Sequence, residues 1–152
     1  MRRALPMILL SALLTGCASD GGVTSEEDLR TRPVVLPGGQ KVKVEVLVKP
    51  EDTMRGMMFR DSLAPDRGML FINLTPGNYK FWMYQVRIPL DIIWMNMQHK
   101  VVEISANTPP CPSKSAKLCP GYGGTEKSIF VLELAGGSVA RYHIRVGDIV
   151  QF

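Results

Sequence analysis

The stretch KVKVEVLV, residues 41–48, alternates charged and apolar side chains as far as Val46. Successive side chains of a strand point to opposite faces, so this period of two predicts a strand with one buried face. The next segment, PEDTMRGMMF at residues 50–59, begins with a proline followed by two acids. Proline suits the first position of a helix and acids suit its first turn, so a short helix is expected directly after the strand.

Short apolar or alternating runs continue to the end of the chain, separated by turn residues. They are GMLFIN (68–73), YKFWM (79–83), DIIWMN (91–96), KVVEISA (100–106), KSIFVLELA (127–135) and VGDIVQF (146–152). The segment GGSVARYHI (136–144) predicts a brief second helix. About seven strands with two short helices predict a single α+β domain, mainly β, built on a curled sheet or a small barrel.

The amino terminus, MRRALPMILLSALLTGC, has a basic start, a short apolar run and small residues before Cys17. This order predicts a secretory signal over residues 1–16, too short to span a bilayer. LLTGC also resembles the lipobox of bacterial lipoproteins, so Cys17 is expected to be acylated and to anchor the protein in a membrane. Ordinary cleavage with a free Cys17 is the alternative. The expected location is the periplasmic side of the cell envelope, with the outer membrane favoured because Ala18 follows the cysteine.

Residues 17–33 are expected to form the lipidated cysteine and a flexible tether, because 18–33 are small, charged and poor in apolar side chains. The folded domain is then predicted over residues 34–152. Without the two arginines of the signal, 16 basic and 14 acidic residues remain, a net charge of +2. No basic run interleaved with aromatic residues occurs, so nucleic acid is not an expected partner. The expected partners are the membrane, through the anchor, and an envelope ligand or protein.

Cys111 and Cys119 lie eight positions apart in PPCPSKSAKLCPGYGG, residues 109–124. Their spacing differs from that of a redox pair, and His99 and His143 lie outside the segment, which disfavours a metal site. In an oxidising compartment the two thiols are expected to form a disulfide.

Several motifs resemble, in sequence and in order, domain-of-unknown-function family 192, whose members are small bacterial and archaeal proteins that are often exported. The motifs are MRGMMFR, RGMLF, FWM, IPLDIIW, CPGYG, VLEL and VGDIV, within residues 41–152. The resemblance implies an α+β, mainly β fold and an envelope setting, and it implies no reaction. After FWM the family usually has Lys-Asn-Thr, whereas this chain has Tyr84, Gln85 and Val86 and so keeps an amide but no hydroxyl.

Two acids stand among apolar residues and are candidates for a pocket: Asp91 in LDIIW and Glu133 in VLEL. A buried acid is costly unless it is paired, so each is either a functional group or a carboxylate that fixes a loop. The candidate pocket contains, besides these acids, the side chains of Arg55, Arg60, Trp82 and Gln85.

No nucleophile elbow, phosphate loop or dinucleotide fingerprint occurs, and no cofactor and no metal are predicted. Met54, Met57 and Met58 are interpreted as core residues rather than copper ligands. The leading hypothesis is a lipid-anchored envelope protein with a β-rich domain that binds a ligand or partner. The alternatives are an acid–base enzyme acting through Asp91 and Glu133 on an envelope glycan or small molecule, and a structural accessory subunit.

Overall fold

A six-stranded mixed sheet carries the domain in the computed structural model, which describes residues 30–152. Its strands are β1 (Thr31–Val35), β2 (Lys41–Leu47), β3 (Arg67–Gly77), β5 (Leu90–Met95), β6 (Val101–Thr108) and β8 (Ser128–Ala135). The strand order is β1-β2-β3-β8-β5-β6, and within this sheet only β2 and β3 pair in parallel. The α+β, mainly β prediction is therefore confirmed.

Smaller elements complete the described part of the chain. Helix α1 (Pro50–Arg55) lies in the crossover between the parallel strands β2 and β3, and α2 (Ser138–Arg141) follows β8. Strands β4 (Phe81–Trp82) and β7 (Gly121–Tyr122) pair as a separate two-stranded ribbon, and a 3₁₀ turn covers Ala116–Leu118. Within residues 30–152, no helix is long and apolar enough to cross a membrane.

Both faces of the sheet are buried, and alternate residues of the central strand β8 point to opposite faces. Leu132 and Leu134 pack with α2 and the carboxyl-terminal segment, and this side is called the helix face. Val131 packs with Met69 and Trp94 on the other side, which is called the cleft face. Each face therefore has its own apolar core.

The open sheet does not close into a barrel, but the last residues of the chain connect its two outer strands. Val35 of β1 exchanges backbone hydrogen bonds with Gln151 of 2.8 and 3.0 Å. The Val101 N–H donates to the Asp148 carbonyl at 2.8 Å, next to a bridge between Lys100 and Ile149. The segment 146–152 was expected to be a strand; instead it forms two isolated bridges, because its bonds go to two different strands.

Two other boundaries differ from the sequence-based expectations. Strand β1 begins at Thr31, inside the segment expected to be a tether, because residues 31–35 pair antiparallel with β2. The predicted strand at 79–83 is reduced to Phe81–Trp82. The predicted signal peptide, Cys17 and the predicted tether as far as residue 29 lie outside the described residues.

Cys111 and Cys119 form the expected disulfide, with an S–S distance of 2.07 Å. The Cys111 N–H donates to the Met83 carbonyl at 3.2 Å, and the Tyr84 hydroxyl donates to the Lys114 carbonyl at 3.4 Å. The stapled loop is thereby attached to the segment that follows β4.

Candidate functional site

A cleft of about 290 Å³ opens on the cleft face, between α1 with its following turn and the segment around β4. Most of its lining is apolar. The side chains that define the two walls are Met54, Met57, Met58, Phe81, Trp82 and Tyr84. A mostly apolar concavity with a few polar groups is the usual form of a small-molecule site.

The turn after α1 brings one wall of the cleft onto the sheet. Gly56 ends the helix with φ 44° and ψ −127°, a backbone conformation that side chains disfavour. A Cβ at this position would lie 3.2 Å from Cζ of Phe71, so the turn is also tightly packed there. The glycine in MRGMM therefore lets the turn lie against Phe71 and places Met57 and Met58 in the wall.

Glu133 supplies the carboxyl group at the buried end of the cleft. It lies on the central strand β8, opposite Met69 of β3 and Ile92 of β5, and is only 4% exposed. Its Oε2 atom is buried without a hydrogen-bond partner among the described residues. Burial raises the pKa of Glu133 to about 8, and the charge of Arg60 opposes this shift without cancelling it. The group is therefore mostly protonated at neutral pH.

The guanidinium group of Arg60, whose charge acts on this carboxyl, is bound to a glutamate of β2. Its two terminal nitrogens donate to the two oxygens of Glu45 at 2.6 and 2.8 Å. This bidentate geometry holds the guanidinium on β2. Arg60 was expected in the pocket, but it does not line the cleft.

Aromatic rings in edge-to-face contact form the floor beneath the cleft. Phe81 makes edge-to-face contacts with Phe71 and with Trp94, at centroid distances of 4.9 and 5.9 Å. The indole N–H of Trp94 donates to the Tyr79 carbonyl at 2.8 Å, so this ring is a fully buried, satisfied core residue. Trp82 is 40% exposed and lines the cleft, as the sequence suggested.

Two cationic side chains, Arg55 and Lys80, lie at the exposed side of the cleft. The stem of Lys80 lies against Gly124 and Gly121, where an added Cβ would come within 2.9 Å of Lys80 Cγ and 3.5 Å of Lys80 Cδ respectively. The missing side chain of Gly124 thus makes room for the lysine beside the cleft, whereas a Cβ at Gly121 would make only an ordinary contact.

Asp91 does not border the cleft, which corrects the expectation that it shares a pocket with Glu133. Its Oδ1 accepts the N–H groups of Asn107 (2.6 Å) and Gly137 (3.3 Å), and its Oδ2 accepts that of Val139 (2.6 Å). The alternating register places it on the helix face with Ile93. The carboxylate fixes the end of β6 and the start of α2.

The other sequence-based candidates are divided between the cleft and its surroundings. Arg55, Trp82 and Glu133 line the cleft together. Gln85 is exposed and has a positive φ of 56°, and its carbonyl accepts the Phe59 N–H at 2.9 Å. Its amide does not line the cleft, and so the family departure at this position lies beside the site.

Sequence reasoning missed Lys80 and Tyr84 as lining residues. A lysine before a strand is usually solvent-exposed, and nothing local indicates that Gly124, far along the chain, leaves room for its stem. Among residues 30–152, no group of three or more His, Cys, Asp or Glu side chains is placed to hold a metal ion.

The chain belongs to the DUF192 family, described as an uncharacterized ACR, whose model matches residues 34–152. A crystal structure of a protein of unknown function from Novosphingobium aromaticivorans DSM 12444 is similar, with a TM-score of 0.71 and 30% identity over 80% of this chain and 85% of that chain. A Sinorhizobium meliloti 1021 protein, described as a proposed transcription regulator, has a TM-score of 0.68 and 28% identity over 78% of this chain and 89% of that chain. No curated protein matches the chain.

Proposed function

We propose that this domain binds a small, largely apolar ligand in the cleft, with the Glu133 carboxyl as the polar contact at the buried end. The observation that carries the proposal is the unpartnered Oε2 of Glu133. A buried polar atom without a hydrogen bond costs roughly 1–3 kcal/mol, and a ligand donor or acceptor would remove that cost.

The lining supports an apolar ligand body. Methionine side chains adapt to irregular shapes, and Met57 and Met58 line the same wall. Trp82 offers an exposed ring whose burial by a ligand would be favourable.

Among residues 30–152, Glu133 is the acid whose pKa is raised into the range that proton transfer at neutral pH would use. The acid–base alternative, however, needs a second group, and Asp91 is bound to the backbone of β6 and α2 on the opposite face. Binding without catalysis is therefore the better-supported function.

We further propose that the domain works on the periplasmic side of the cell envelope, anchored by acylated Cys17. The lipobox-like LLTGC supports this location, and so does a disulfide pair suited to an oxidising compartment. Cys17→Ser is expected to remove the acyl mass and to release the protein from membranes. A variant that stays with salt-washed membranes would contradict the anchor.

The cleft is tested with phenylnaphthylamine, a neutral dye that fluoresces in apolar surroundings, using the full chain with Cys17→Ser to avoid detergent. Dye binding is expected, with a roughly fivefold weaker affinity in Trp82→Ala. The matched control is Leu74→Ala, which removes a 90% exposed side chain outside the cleft. Absence of dye binding, or equal losses in both variants, would contradict the site. Native mass spectrometry of the protein from its own host would then identify the natural ligand.

A further inference from the structure

We propose that the ligand of this cleft is an amphipathic anion, with an apolar body in the cleft and one carboxylate, sulfonate or phosphate group held between Arg55 and Lys80. This inference rests on the proposed function and specifies the class of ligand.

The first observation is the charge of the lining. Among the described residues that line the cleft, Arg55 and Lys80 are the basic side chains and Glu133 carries the only carboxyl group. Burial raises the pKa of Glu133 to about 8, so at pH 7 this acid contributes little negative charge. The cleft therefore presents a net positive charge to an incoming ligand.

The second observation is that both cations are available. Neither Arg55 nor Lys80 has an ion pair within residues 30–152, whereas Arg60 and Arg87 are bound to Glu45 and Asp61. Asp52, one turn before Arg55, shares a neighbouring hollow with Arg55 but does not line the cleft, and no ion pair joins the two side chains. An anionic group at the cleft would provide partners that the protein itself does not.

The third observation is the order of polarity along the cleft. The cations are exposed, the methionine and aromatic side chains form the walls, and Glu133 is buried. A protonated carboxyl can both donate and accept a hydrogen bond, so it suits a neutral polar group at the far end of the ligand. A cationic ligand fits poorly, because it would face Arg55 and Lys80 and would require Glu133 to ionise in a desolvated position.

A matched pair of dyes tests the charge. Anilinonaphthalene sulfonate and phenylnaphthylamine share one apolar body, and only the first carries an anionic group. The anion is expected to bind the Cys17→Ser chain roughly tenfold more tightly than the neutral dye. The double variant Arg55→Gln/Lys80→Gln should lower the affinity for the anionic dye about tenfold and leave the affinity for the neutral dye unchanged.

The control is Arg141→Gln/Arg145→Gln, which removes two exposed cations at and after α2, on the other side of the sheet. This variant should bind both dyes like the parent chain. Rising salt concentration should weaken binding of the sulfonate and should not affect binding of the neutral dye.

The outcomes separate the two proposals. The anionic class is overturned if the neutral dye binds in a Trp82-dependent way but the sulfonate binds no more tightly than the neutral dye. It is also overturned if the double variant binds the sulfonate as tightly as the parent chain does. In both cases the cleft remains a binding site for neutral apolar ligands. If neither dye binds, the proposed function fails as well. If the two cations promote sedimentation with phosphatidylglycerol vesicles but not binding of the free sulfonate, they serve a membrane surface and the inference is overturned.

Discussion

Asp91 and Glu133 lie on the hydrogen-bonded neighbouring strands β5 and β8, yet their side chains are on opposite faces of the sheet. Glu133 is paired with Ile92, the residue after Asp91. Because successive side chains of a strand alternate between faces, the two acids point to opposite faces. Asp91 receives three backbone N–H groups, whereas Oε2 of Glu133 receives none from the described residues. One acid therefore fixes the end of β6 and the start of α2, and the other is available to the proposed ligand.

Asp91→Asn is expected to destabilise the fold and to leave the cleft intact. Replacing one carboxylate oxygen by an amide removes an acceptor from short, charge-assisted bonds, so the free energy of unfolding should fall by about 2–4 kcal/mol. Urea unfolding measures this change. Asp61→Asn, at the exposed pair with Arg87, should cost less than about 1 kcal/mol. An Asp91→Asn protein that is as stable as the parent chain but no longer binds the dye would contradict the structural role assigned to Asp91.

Glu133 should make stability depend on pH. The unfolded chain loses this proton near pH 4.5, while the folded chain keeps it until about pH 8. Between these values unfolding releases a proton, so stability falls as pH rises, by at most about 1.4 kcal/mol per pH unit. Glu133→Gln should remove this slope and raise the melting temperature at pH 8. The exposed control Glu126→Gln should keep the slope, and an unchanged slope in Glu133→Gln would contradict the raised pKa.

Gly56→Ala should lower stability, although alanine favours helices. Its φ of 44° and the nearby ring of Phe71 both oppose a Cβ, and we expect a loss of about 1–2 kcal/mol by thermal unfolding. At Gly121 the φ is not positive and an added Cβ makes only an ordinary contact with Lys80, so Gly121→Ala should change stability by less than about 0.5 kcal/mol. A Gly56→Ala protein that melts higher would refute this account.

The disulfide should support both stability and the cleft wall. Chain entropy for this short loop predicts a loss of about 2.5 kcal/mol in Cys111→Ser/Cys119→Ser. Dye affinity should also fall, since the loop contacts Met83 and Tyr84. Reductant should lower both the stability and the dye affinity of the parent chain, and it should change neither in the double variant. Equal melting temperatures with and without reductant would contradict the staple.

Local pattern was enough to predict most strands, because alternation in residues 41–46 and the apolar runs reflect burial directly. Strand β1 was missed because TRPVV contains a proline and charged neighbours and becomes a strand only by pairing with β2. The final segment was misjudged because its hydrogen bonds are divided between two distant strands.

The site was predictable only in part. Glu133 and Asp91 were recognisable as acids among apolar residues, but their faces depend on strand register, which no local pattern fixes. Trp82 and Trp94 likewise differ only through tertiary packing. The stem of Lys80 has room beside the cleft because Gly124, remote in sequence, has no side chain.

The carboxyl-terminal residues hold together the two outer strands of an open sheet, and this has a consequence for self-association. Unpaired strand borders expose rows of N–H and C=O groups that can template pairing with another copy of the chain. Gln151 covers such groups at Val35, and Asp148 covers the N–H of Val101. Loss of the last five residues would therefore uncover both borders at once and would also remove the buried Val150 from the helix-face core, so a trimmed protein would be prone to form strand-paired aggregates.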